Sequence, residues 1–114
     1  MKILIVEPDE YYHNLFNEHL NFGELFLARD ASGAKDFLTN TVPDAVVMEL
    51  DLEDEPGYAV LRKLRDHPLV PVIVFSKVSH VQDIEASMEL GANAYFVKGV
   101  DSILDVKKLL LNYA

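Results

Sequence analysis

Cysteine is absent from this 114-residue chain, which excludes disulfides, thiolate metal sites and thiol catalysis. Long apolar runs are absent too. The longest reach about six residues, far short of the roughly 20 that a membrane-spanning helix needs. The opening Met1-Lys2-Ile3-Leu4-Ile5-Val6 has neither the apolar stretch nor the small-residue cleavage site of a signal peptide, so a cytoplasmic protein with no membrane partner is expected. Basic residues are scarce, 10 against 19 acids, for a formal net charge of −9. A phosphate backbone would repel that balance, so no direct nucleic-acid binding is expected. Repeats, low-complexity tracts and linkers are also missing.

What is present is a globular composition: 50% hydrophobic and 25% charged residues, unlike the profile of a disordered chain. One domain, residues 1–114, is expected, and a domain of this size buries roughly 65% of its unfolded surface. Two kinds of segment alternate. Ile3–Val6, Ala45–Met48 and Val70–Phe75 are continuous apolar runs rich in β-branched residues, the pattern of strands covered on both faces. Leu25–Ala28 and Ala94–Val97 are weaker versions. Pro71 suits a strand's start, where a missing N–H matters least.

Helical spacing lies between the runs. Tyr12, Leu15, Phe16 and Leu20 share one face, as do Ala34, Phe37 and Leu38; Val60, Leu61 and Leu64; Val81, Ile84 and Met88; and Ile103, Val106 and Leu110. Ser79 with Gln82, and Ser102 with Asp105, have the spacing of capping boxes. Gly91 is placed to end the fourth helix. The alternation predicts an α/β, doubly wound (βα)5 flavodoxin-like three-layer sandwich, with a parallel sheet in the order 2-1-3-4-5. Function is then expected at the carboxyl ends of the strands.

Those ends carry Glu7-Pro8-Asp9-Glu10, the segment Glu49–Gly57 with five acids in its first seven residues, Ser76-Lys77, and Lys98-Gly99. Carboxylates from two loops face a hydroxyl and an ammonium from two others, the kind of site that holds a divalent cation and a phosphoryl group. No nucleophile elbow, Gly-rich phosphate loop or Ser-His-Asp arrangement is visible, and no enzyme is expected. A flavin-binding reading fails because Glu7-Pro8-Asp9-Glu10 would repel the flavin phosphate. As the nucleophile loop of a haloacid-dehalogenase-type phosphatase, the same segment is a poor match.

Four motifs in order, Ile3–Glu7, Pro43–Leu50 with Gly57, Val70–Ser76 and Gly91–Lys98, give the chain an end-to-end resemblance to the receiver domain of two-component response regulators. The resemblance implies a phosphorylation switch. A histidine kinase donates a phosphoryl group to an aspartate ending strand three. That aspartate, an acidic pair after strand one and a backbone carbonyl hold Mg²⁺, and a lysine pairs with the phosphate. A Ser/Thr hydroxyl and an aromatic side chain then move together and remodel the face of helix four, strand five and helix five.

Carried onto this sequence, the phosphoacceptor position is Glu49, the acidic pocket is Glu7, Asp9 and Asp51, the switch residues are Ser76 and Tyr95, and the phosphate contact is Lys98. The chain departs from the family at three points. Glu49 is longer than Asp by one methylene, and misplacement of about 1 Å costs on the order of 100-fold in rate. Pro8 removes a ligand from the acidic pair, and Mg²⁺ tolerates that badly; two roles stay open for Asp9, replacing that ligand or capping helix one, and the cap is the favoured one. Gly99 stands where the family carries proline, so no cis bond is expected there. The expectation is an atypical, phosphorylation-independent receiver without a required cofactor. Any Mg²⁺ would bind weakly, through Glu7, Asp9, Glu49 and the Asp51 backbone carbonyl.

Protein partners are expected on the face of helices four and five, with Gln82, Glu85, Glu89 and Lys107 exposed. They include a histidine kinase, an output domain or a second copy. The alternative is a Mg²⁺-dependent receiver phosphorylated on Glu49 or a nearby Asp. Two readings of Glu49 stay open: its carboxylate stands in for phosphoryl oxygens toward Lys98 and Ser76, or it pairs with Lys98 and only stiffens the loops. Tyr95 is either a rotamer switch or a fixed aromatic. The loop acids Asp51, Glu53, Asp54 and Glu55 are expected to be solvated, lacking an EF-hand's spacing. His13, His19, His67 and His80 are expected at the surface.

Overall fold

The computed structural model describes residues 1–114. Five strands alternate with five helices: β1 (Lys2–Val6), α1 (Glu10–His19), β2 (Glu24–Ala28), α2 (Ala31–Asn40), β3 (Ala45–Met48), α3 (Tyr58–Leu64), β4 (Val72–Ser76), α4 (Val81–Glu89), β5 (Ala94–Val97) and α5 (Ile103–Tyr113). All pairings are parallel, in the order β2-β1-β3-β4-β5. The predicted class and strand order hold.

Strand alternation divides the core. Ile3, Ile5, Val47, Ile73 and Phe75 face one side and pack with Phe16 of α1, Leu20 at its C-cap, and Ile103, Val106 and Leu110 of α5. Leu4, Val6, Val46, Met48 and Val74 face the other and pack with Ala34 and Leu38 of α2 and Leu61 and Leu64 of α3. Successive side chains of a strand point to opposite faces, so both sides of the central strands are dry. That is why they read as unbroken apolar runs.

Asp9 caps α1 through the Tyr11 amide, and the Ser102–Asp105 capping box forms as expected. Gly91 ends α4 at φ +105°. The box at Ser79 does not form. His80 occupies the N-cap of α4 and makes no side-chain bond, because the helix begins one residue later than the Ser79–Gln82 spacing requires. The expected apolar face of α4 is not buried either: Val81 is 64% and Met88 43% exposed, and the one buried α4 residue is Ser87. The helix turns a small polar residue inward, which leaves Val81 and Met88 at the surface and Ile84 only partly covered. Lys107, expected in the open, is partly covered. His13 is buried, not exposed, because it shares with Phe16 and Leu20 the side of α1 that meets the sheet. No helix is long and apolar enough to cross a membrane.

Candidate functional site

The parallel register brings four distant residues to one edge. Val6 lies beside Met48, Met48 beside Val74 and Ser76 beside Val97. The ladder runs one residue further: the Glu49 amide donates to the Val6 carbonyl at 2.9 Å and the Lys98 amide to the Ser76 carbonyl at 2.9 Å. Glu7, Glu49 and Lys98 are therefore fixed by sheet geometry rather than left to loop motion.

Their side chains converge. Lys98 Nζ donates to Glu7 Oε1 at 2.6 Å and to Glu49 Oε1 at 2.9 Å. The three side chains are only 6%, 2% and 2% exposed. The Lys98 ammonium also sits 4.0 Å from the centre of the Tyr12 ring, a cation–π contact. Glu49 Oε2 accepts from the Leu50 amide (2.7 Å), the Asp51 amide (3.1 Å) and the Ser76 hydroxyl. Oε1 accepts from the Lys77 amide at 3.1 Å as well as from Lys98. Five donors thus converge on one carboxylate.

The two carboxyls are pushed in opposite directions. Burial raises the Glu7 pKa above its ordinary 4.5, against the pull of its hydrogen bond and ion pair with Lys98. Burial also works against the Glu49 carboxylate, but the Ser76 and Lys98 hydrogen bonds, the Lys98 charge and the Asp51 amide outweigh it and hold Glu49 below 4.5. Of the two, Glu49 is the more firmly held in its charged form and Glu7 the more readily protonated.

Ser76 relays the Glu49 contact onward. Its oxygen accepts from the Val78 amide at 3.0 Å, and the Tyr95 hydroxyl donates to the Val78 carbonyl at 2.5 Å. Tyr95 packs, half-buried, against the core on the α2–α3 side of the sheet. Gly99 (φ +84°) turns the chain after Lys98 without a cis bond. Gly57 closes the acidic loop against the pocket, where a Cβ would lie 2.8 Å from Leu50 Cα.

Asp9 and Asp51 are not in the pocket. The Asp9 carboxylate is on the Tyr11 amide at 2.9 Å, and exposed Asp51 pairs with Lys77 at 3.0 Å. The acidic loop is tied down more than its charge implied. Asp54 accepts from the Ala31 and Ser32 amides at the start of α2, both at 2.9 Å, bonds that lower its pKa. Glu55 pairs with Lys35. Sequence reasoning missed these contacts, which join residues 20 or more positions apart.

The donor set fits Mg²⁺ poorly. The ion wants about six oxygens in near-octahedral array. Glu49 is saturated by five donors, Glu7 bonds Lys98 and, at 3.2 Å, the Asp9 amide, and Pro8 offers no carboxylate. No group of three or more metal-binding side chains forms.

A parallel five-stranded sheet in the order 2-1-3-4-5, with helices on both faces, defines an α/β flavodoxin-like fold of the CheY type. The chain belongs to the response regulator receiver domain family, whose model matches residues 3–108. It is 30% identical to the response regulator protein GraR of Staphylococcus haemolyticus, over 99% of this chain and 51% of that protein. It is likewise 30% identical to the transcriptional regulatory protein KdpE of Staphylococcus aureus, over 85% and 43%. The chain spans about half the length of the curated relatives it matches. Among solved structures, a CheY-like receiver domain from Methanospirillum hungatei superposes with a TM-score of 0.88 at 22% identity, covering 98% of this chain and 92% of that one. The Mn²⁺-bound response regulator Rcp1 superposes at 0.81 and 27% identity, covering 97% and 89%.

Proposed function

We propose that this receiver domain signals without phosphotransfer, as a protein-interaction module whose Glu49 carboxylate takes the place of a phosphoryl group. One observation carries the reading: the five donors on Glu49 include Lys98 and the Ser76 hydroxyl, the groups that the family resemblance assigns to phosphate contact and switching. A carboxylate so engaged and 98% buried offers neither a free lone pair for attack nor an open path to a donor. The Ser76–Val78–Tyr95 hydrogen bonds then hold the β4–α4 loop in one arrangement. The poor fit for Mg²⁺ supports the same reading.

The partner is a protein, recognised on the face of α4, β5 and α5. There Val81 and Met88 on α4 and Leu104 (56%) and Leu111 (48%) on α5 are exposed, with Gln82, Glu85 and Glu89 in the open beside them. A histidine kinase, an output domain and a second copy are the classes of partner that this face would serve; light scattering across a concentration series separates the last.

Incubation with a small phosphodonor and Mg²⁺, read by intact mass, tests the proposal. The expected result is an unchanged mass. A phosphoryl adduct on Glu49, Asp51 or any other acid would restore the conventional switch and overturn it.

A further inference from the structure

Helix α4 is held to the domain in an unusual way. Its N-cap makes no side-chain bond and its one buried residue is Ser87, so little apolar burial secures it. Between α3 and α4 there is one hydrogen bond, from the Tyr58 hydroxyl to Asp83 Oδ1 at 2.5 Å. Two open clefts border α4 on the α3 side, one near each end of the helix. One of about 370 Å³ lies among Leu50, Tyr58, Val78 and Asp83. Another of about 310 Å³ lies among Leu61, Leu64, Val72 and Leu90. The Asp83 end is braced within the helix, where the Ser87 hydroxyl donates to the Asp83 carbonyl at 2.7 Å. The Tyr58 end is braced by the pocket, since Tyr58 directly follows Gly57, whose amide donates to the Leu50 carbonyl at 2.8 Å.

We propose that the Tyr58–Asp83 hydrogen bond is a latch: it holds α4 against α3 and so positions the partner-facing surface that α4 carries. Tyr58 acts as a positioning residue, through Asp83. This regulatory role rests on the reading of α4 as part of the interaction face. The latch is distinct from the Tyr95 contact, which fixes the loop before α4 rather than the helix itself. The Tyr58 hydroxyl is pushed up to about 12, by burial first and then by Asp83, so it keeps its proton and donates at neutral pH. With the bond broken, the open clefts beside it leave room for α4 to shift relative to α3, with its contacts to β5 and the Leu90 packing as the remaining restraints.

Hydrogen exchange on the full chain at neutral pH tests this. Tyr58→Phe removes only the hydroxyl. Losing a hydrogen bond of ordinary net strength should speed exchange of the α4 amides roughly 3–10-fold and leave α1, α2 and α5 unchanged. Asp83→Ala should do the same, and the double variant should open α4 no further than either single one. Asp83→Asn, which keeps an acceptor oxygen, should stay near the parent rate. Unchanged α4 exchange in Tyr58→Phe, equal acceleration in every helix, or additive effects in the double variant would each overturn the latch. A phosphoryl adduct would overturn the phosphorylation-independent reading without bearing on the exchange rates of the unphosphorylated variants, so the two failures are distinguishable.

Discussion

Lys98 sets the charge balance of the pocket. It is the single ammonium between two nearly fully buried carboxyls, and each of those interacts with the other through the same low-dielectric space. Replacing it with methionine keeps the stem and removes the charge. Two carboxyls would then face each other without a counter-ion. Loss of one member of a buried ionic set costs about 3–5 kcal/mol, so Lys98→Met should lower stability by that order in urea titrations at pH 7. Glu7→Gln should cost clearly less, because the Lys98–Glu49 pair survives and burial already works against the charged form of Glu7. Equal losses for the two variants would mean that the ammonium is not the pivot. His13 makes a different point at this scale. Its Nε2 donates to the Glu7 carbonyl at 2.5 Å, and its spacing with Phe16 and Leu20 was visible in the sequence. Residue type argued for the surface, position on the helix argued for the interior, and position prevailed.

Among the elements, α5 and α4 show what a sequence pattern does and does not specify. Both carry a serine followed three residues later by a residue able to complete a capping box. On α5 the box forms, because the helix is already docked by Ile103, Val106 and Leu110 and begins where the box needs it. On α4 the helix begins at Val81, out of register with Ser79. Ser102→Ala should therefore cost about 1 kcal/mol, whereas Ser79→Ala, an exposed position without a capping bond, should stay within about 0.5 kcal/mol. Paired urea titrations check the contrast. Strands were legible because burial on both faces leaves an unbroken apolar run. The inward face of α4 was not, because three apolar residues at helical spacing mark a face without saying which neighbour covers it. The Tyr58–Asp83 bond spans 25 positions, and no local pattern announces such a pairing.

At the scale of the whole molecule, the site was legible because topology alone collects the carboxyl ends of β1, β3, β4 and β5. Once a parallel 2-1-3-4-5 sheet was inferred, Glu7, Glu49, Ser76 and Lys98 had to be neighbours. Loop residues were not bound by that logic, and Asp9 and Asp51 went to a helix cap and a surface ion pair instead. The same collected pocket dictates how stability should vary with pH. Glu49 is held below its ordinary 4.5 in the folded protein. Its contribution is present above that value and is lost as pH falls through the folded pKa. Glu7 is raised above 4.5, so its contribution has the opposite sign: full below 4.5, and lost as pH rises through its folded value. Denaturant midpoints measured from acid to neutral pH should therefore show two separable slopes. Glu49→Gln should flatten the acid-side fall below 4.5. Glu7→Gln should flatten the decline above 4.5 and leave the acid side in place. If Glu7→Gln instead removes the acid-side fall, the ionised partner of Lys98 is Glu7, and Glu49 cannot be the permanent anion that the phosphorylation-independent reading requires.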